Sequence, residues 1–216
     1  LESEELHAAV ELLTSTHELQ YAEKINALWP AIEKGFNFNA RYAVRALPYM
    51  DTSYRERLKN LVVMYKKSLE KLDTDNPFGV PISTGGWAGS GLVVGFANTN
   101  YFLHKAFPNL IGSEYVFKGL NYIYGCHPGS DISLVSGVGT DSKKIAYGSN
   151  RADFTYIPGG IVPGELILKP DFPENKEDWP FLWGENEYVV ALGPSYIFLV
   201  NAVDDLLHEK METTKQ

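Results

Sequence analysis

Near the end of the chain, Trp179-Pro180-Phe181-Leu182-Trp183-Gly184-Glu185-Asn186-Glu187-Tyr188 sets two tryptophans and a phenylalanine around a pair of glutamates. Aromatic surroundings withhold water from a carboxylate, and desolvation raises its pKa. A carboxylic acid that keeps its proton near neutral pH is what protonation of a glycosidic oxygen requires. Glu185 also has a simpler reading, as a cap or first-turn acid favoured by the dipole of the helix it opens.

Other residue types offer less. The five histidines, His7, His17, His104, His127 and His208, show no metal-ligand spacing. His127, beside Pro128, is the one placed in a loop where it could touch a ligand. There is no Gly-x-Ser-x-Gly elbow and no His-Glu-x-x-His. The glycines of Thr84-Gly85-Gly86-Trp87-Ala88-Gly89-Ser90-Gly91 fit neither a dinucleotide fingerprint nor a P-loop, and read instead as points of close approach. The acidic residues Asp131, Asp141, Asp153, Glu165, Asp171 and Asp178 lie in one long segment and read mostly as solvated surface.

Composition limits the partners. A net charge of -8 over 216 residues, with lysine and arginine scattered, excludes a nucleic-acid surface. No apolar run approaches the roughly 20 residues of a membrane span. The single cysteine, Cys126, rules out an internal disulfide and a cysteine-rich metal site. The chain opens inside a helical pattern, as a piece of something longer, or a mature form with its front removed, would.

The elements that must position the glutamates are helices. Ser3 to Thr16 carries the stripe Leu6, Ala9, Val10, Leu12 and Leu13. Tyr21 to Lys34 repeats the pattern, with Pro30 predicting a kink or a shortening and Gly35 a stop. Ala40 to Met50 is apolar and of unassigned type. Asp51-Thr52-Ser53 caps a helix running to about Leu72. Asp73 to Gly79 is a loop, and Leu92 to Phe107 and Ser113 to Tyr124 are further helices, the second stopped by Gly125. From Cys126 to Pro180 glycine and proline are dense, and only Ile132 to Val138 and Ile161 to Leu168 suggest short strands. Beyond Glu187 an apolar face runs through Val189, Val190, Leu192, Tyr196, Ile197, Leu199, Val200, Val203, Leu206 and Leu207, predicting a long final helix.

The order of motifs is informative. Trp87-Ala88-Gly89-Ser90-Gly91 leads into an apolar helix, and a second helix ends Leu120-Asn121-Tyr122-Ile123-Tyr124-Gly125-Cys126-His127-Pro128. Ser133-Leu134-Val135-Ser136-Gly137-Val138-Gly139, then Pro158-Gly159-Gly160-Ile161-Val162-Pro163-Gly164, then Glu185-Asn186-Glu187 follow. This succession resembles the C-terminal half of a glycoside hydrolase family 9 catalytic domain.

The resemblance implies an all-α fold, part of an (α/α)6 toroid of six helical hairpins, with residues 1–216 forming the C-terminal part of one domain. It implies hydrolysis of β-linked oligosaccharide or polysaccharide with inversion, no cofactor, and a secreted or periplasmic protein. Glu187 is similar to the family's proton donor. Arg151 stands where the family has a sugar-contacting arginine, although the adjoining histidines are missing. Trp87, Tyr147, Trp179, Trp183 and Tyr188 are candidate sugar platforms, with His127 as a further contact. The family's base lies in an Asp-Ala-Gly-Asp motif that this chain lacks. That departure favours either a donor half completed by a missing N-terminal half or a toroid kept as a non-catalytic carbohydrate-binding or scaffold protein. Half a toroid would leave apolar helix faces for the missing part or for self-association.

Overall fold

The computed structural model describes residues 1–82, 89–126, 131–144, 156–164 and 183–214. These residues are mostly helical. In chain order they form α1 (Glu2–Thr16), α2 (Leu19–Ala27), α3 (Trp29–Lys34), α4 (Phe36–Ala46), α5 (Thr52–Asp75), α6 (Ser90–Ala106), α7 (Glu114–Ile123), α8 (Trp183–Asn186) and α9 (Leu192–Thr214). A 3-10 turn, Leu47–Tyr49, follows α4. The chain packs as two compact units, Leu1–Lys71 with Thr99–Ser113, and Leu72–Asn98 with Glu114–Gln216.

The first unit is built on α1, which packs against α2 and α4. Leu6, Ala9, Val10 and Leu13 are buried, as the helical spacing predicts, while Leu12 falls to the outside of the stripe. Pro30 splits the expected second helix rather than bending it. The chain restarts as α3 with this proline in the first turn, where an amide hydrogen has no intrahelical partner to lose. The unassigned apolar stretch becomes α4 and its 3-10 turn. The Asp51 cap is realised: its Oδ1 accepts the Tyr54 amide at 2.8 Å. Tyr54 is fully buried and satisfies its hydroxyl on the Ala43 carbonyl at 3.0 Å.

In the second unit, α7 packs against both α6 and α9. Asn98 on α6 donates from Nδ2 to the Ser195 carbonyl at 2.9 Å, and the hydroxyls of Tyr124 and Tyr196 meet at 2.8 Å. Gly125 ends α7 with φ 102, a conformation in which an added Cβ would lie 2.6 Å from the Asp131 carbonyl oxygen.

Two turns organise the described parts of the long segment. Val138 donates to the Val135 carbonyl at 3.1 Å across Ser136-Gly137, with Gly137 at φ 77. Gly160 donates to the Ile157 carbonyl at 2.8 Å across Pro158-Gly159, with Gly159 at φ 80. Proline second and a positive-φ glycine third make the latter a type II turn. The strand expected over Ile132 to Val138 does not form. Ser133 with Ser142 and Val135 with Ile161 pair as isolated bridges instead. The Ser136-Gly137 turn bends the backbone away before a ladder can extend. Residues 165–168 of the other expected strand lie outside the described residues.

Side chains of this segment nevertheless enter the core: Leu134, Val135, Ile161 and Val162 are buried. Burial of each such side chain contributes about 1.5–3 kcal/mol. Its backbone is tied to the helix ends. Leu134 donates to the Ile123 carbonyl at 2.9 Å, and Ser90, opening α6, donates from its amide to Pro163 at 2.9 Å and from Oγ to Val162 at 2.8 Å.

Candidate functional site

The two glutamates are set in different surroundings by α8. This helix is four residues long. Glu185 and Asn186 turn inward, Glu185 being only 2% exposed and Asn186 fully buried. The Glu185 carbonyl accepts the Gly164 amide at 3.0 Å, which fixes α8 to the segment that follows the Pro158-Gly159 turn. Glu187, the next residue but one, is half-buried at the end of the helix. A half-buried carboxyl can both lose some hydration and meet a ligand, whereas a fully buried one cannot meet a ligand without rearrangement.

Tyr188 fixes the other side of Glu187. Its hydroxyl lies 2.8 Å from Ser136 Oγ and accepts the Ile157 amide at 3.0 Å. Ser136 Oγ in turn donates to the Lys143 carbonyl at 2.8 Å. A serine hydroxyl has one proton, and here it goes to that carbonyl. Tyr188 is therefore the donor to Ser136, and the chain runs from the Ile157 N–H through the tyrosine and serine hydroxyls to Lys143. The tyrosine ring lies against Gly160, where an added Cβ would stand 2.6 Å from Cε1. The hydroxyl end of Tyr188, read from the sequence as part of a sugar platform, is thus committed to the two turns beside it.

The final helix begins later than its apolar pattern suggests. Val189 and Val190 form a turn in which Leu192 donates to the Val189 carbonyl at 3.0 Å, and Val190 is 90% exposed. Pro194 sits in the first turn of α9, where its missing amide costs no hydrogen bond. The interval between Glu187 and α9 is thereby set by Pro194, with Gly193 beside it.

Among the other residues singled out in the sequence, Trp183 opens α8. Arg151, Tyr147, Trp87, Trp179 and His127 lie outside the described residues. Ser136 and Ile157 were not legible as parts of the site. The Pro158-Gly159 pair was the available signal, because it marks the turn that presents the Ile157 amide.

Three comparisons with known proteins bear on the fold. No protein-family model and no curated protein sequence matches the chain. Among solved structures it is similar to one titled "Bacteroides ovatus GH9", with a TM-score of 0.67 and 20% sequence identity, over 95% of this chain and 40% of that one. The chain therefore spans about two fifths of the length of that neighbour. Its helices follow the same path as that part of a family 9 glycoside hydrolase, and the expected all-α, toroid-type fold is the one observed.

Proposed function

We propose that this chain is the C-terminal, donor-bearing part of an inverting glycoside hydrolase acting on β-linked oligosaccharide or polysaccharide. The observation that carries the reading is the fold shared with a glycoside hydrolase over 95% of the chain. The half-buried Glu187, between an inward-turned α8 and an anchored Tyr188, supports it at the level of one residue.

In this reading Glu187 holds a proton and delivers it to the glycosidic oxygen as the bond to the anomeric carbon breaks. Water attacks the opposite face of the sugar, and a second carboxylate takes its proton. Inversion places that carboxylate roughly 6.5–9.5 Å from Glu187, leaving room for the water. Its match, the family's Asp-Ala-Gly-Asp motif, is expected in the part of the protein that corresponds to the remainder of the toroid. Arg151 and the aromatic residues Trp87, Tyr147, Trp179 and Trp183, with His127, are proposed as sugar contacts. A polysaccharide substrate suits a secreted or periplasmic protein.

The test compares the longer parent protein with its Glu187→Gln variant on β-linked oligosaccharides and aryl glycosides, with the anomer of the first-formed product read by NMR. The expected result is inversion, and a loss of at least about 100-fold in the variant on substrates with poor leaving groups. Undiminished turnover by Glu187→Gln on those substrates sinks the donor assignment. Oligosaccharide binding with no turnover by the parent moves the reading to a non-catalytic carbohydrate-binding protein.

A further inference from the structure

We infer that Tyr188 is the positioning residue of this site, holding Glu187 in place through its hydroxyl rather than stacking on a sugar. The inference rests on the reading of Glu187 as proton donor. A general acid must come within about 2.6–3.2 Å of the oxygen it protonates. Active-site groups have to be held to about 0.5 Å of the productive geometry. A carboxylate on three rotatable bonds owes that precision to its backbone, because the side chain alone supplies none.

The backbone of Glu187 is fixed from both sides. On one side, Glu185 and Asn186 are buried and the Glu185 carbonyl is bonded to Gly164. On the other, Tyr188 reaches two separate turns at once, through Ser136 Oγ at 2.8 Å and the Ile157 amide at 3.0 Å. Beyond Tyr188 the chain is open, with Val190 almost fully exposed.

Both anchoring turns are themselves held. Ser136 donates its amide to the Gly160 carbonyl at 2.9 Å, and Gly159 donates to the Ser136 carbonyl at 2.7 Å. The two turns thus form one unit, and the tyrosine hydroxyl is the group that joins it to residue 188. The polarity derived above leaves the hydroxyl donating to serine while accepting from a backbone amide, so both capacities are in use. The bare Cα of Gly160 admits the ring at a distance no other residue allows, which fixes the ring as well as its hydroxyl. A strut needs the contacts observed here, a hydroxyl bonded to both turns and a ring edge seated on Gly160.

The experiment uses the parent protein and four variants, Tyr188→Phe, Ser136→Ala, Ser136→Thr and Glu187→Gln, with folding checked by circular dichroism. Aryl glycosides spanning good to poor leaving groups are the probe, because only the poor ones need a proton. Tyr188→Phe is expected to lower kcat about 10-fold on poor leaving groups and less than about 2-fold on good ones, with KM unchanged. Ser136→Ala should show the same selective loss, and Ser136→Thr, which keeps a hydroxyl, should recover it. An equal loss across all leaving groups, or no loss, overturns the positioning role even if Glu187→Gln behaves as a donor variant. If Tyr188→Phe does not fold, the serine pair decides the matter by the same criterion. An unaffected Glu187→Gln, or an inactive parent, removes the donor reading and this inference with it.

Discussion

Gly119 on α7 and Ala97 on α6 approach so closely that a Cβ built on the glycine would lie 2.5 Å from the alanine Cβ. The carbonyl of Val93, one turn earlier on α6, is 3.5 Å from the same point. The helices can meet at this distance only because one position carries no side chain. Gly119→Ala is therefore expected to force the helices apart and to cost about 1–3 kcal/mol, read by urea unfolding. Ala97→Gly in the same background should return most of that loss. A Gly119→Ala chain as stable as the parent would show that the spacing is not constrained here.

Stability should decline at high pH, which tyrosines of unshifted pKa would not cause. Burial raises the pKa of Tyr54, and burial together with the Tyr124 hydroxyl raises that of Tyr196. A raised folded-state pKa means that the contribution is complete below the unfolded value, about 10, and is lost as pH climbs from there toward the folded value. The unfolded chain releases those protons first, so alkali favours unfolding. Thermal scans between about pH 9 and 11.5 are expected to show a declining Tm. The decline should be shallower in Tyr54→Phe. Equal slopes in the two proteins would remove Tyr54 from the account.

At low pH the relevant pair in the first unit is Glu11 with Arg45, whose two hydrogen bonds measure 2.5 and 2.9 Å. The arginine holds the Glu11 carboxyl below its ordinary pKa. The contribution is thus present above about pH 4.3, the unfolded value, and is lost as pH drops from there through the lower folded value. Side-chain exposures of 31% for Arg45 and 53% for Glu11 mean that solvent screens the pair. We expect Glu11→Gln to cost no more than about 1 kcal/mol at neutral pH. That cost should shrink as pH falls through the lowered folded-state value, and in high salt. A cost that persists at pH 2 would point to packing rather than charge.

The proposed function carries a prediction about the 216 residues by themselves. Inverting hydrolysis needs carboxyl groups on opposite sides of the scissile bond, and only the donor side is matched here. Expressed alone, the chain should show no turnover on β-linked substrates that the longer parent cleaves. Substantial turnover by the chain alone would contradict the division of the two carboxyl groups between its parts.

The helices were legible because their determinants are local. The spacing of Leu58, Leu61, Val62, Tyr65 and Leu69 predicts one face of α5, and all but the half-buried Leu61 are buried. Asp51 announced its cap three residues before the amide it accepts, and Pro30 and Gly125 marked boundaries by what their backbones can adopt. The order of glycine-rich motifs also pointed to the fold now seen in a structural neighbour with only 20% identity.

The site was legible as a stretch, not as an arrangement. Sequence placed Glu185, Glu187 and Tyr188 together and singled out Glu187 only through the family resemblance, and its apolar pattern extended the last helix back through Val189 and Val190. Those outcomes depend on residues far along the chain: Gly164 meeting the Glu185 carbonyl, and Ser136 and Ile157 meeting the Tyr188 hydroxyl from 52 and 31 positions away. Periodicity and capping report which backbone conformation a segment prefers, because they act over a turn or two. Which hydroxyl finds which amide is decided only when two distant turns are folded against each other, and no local pattern encodes that meeting.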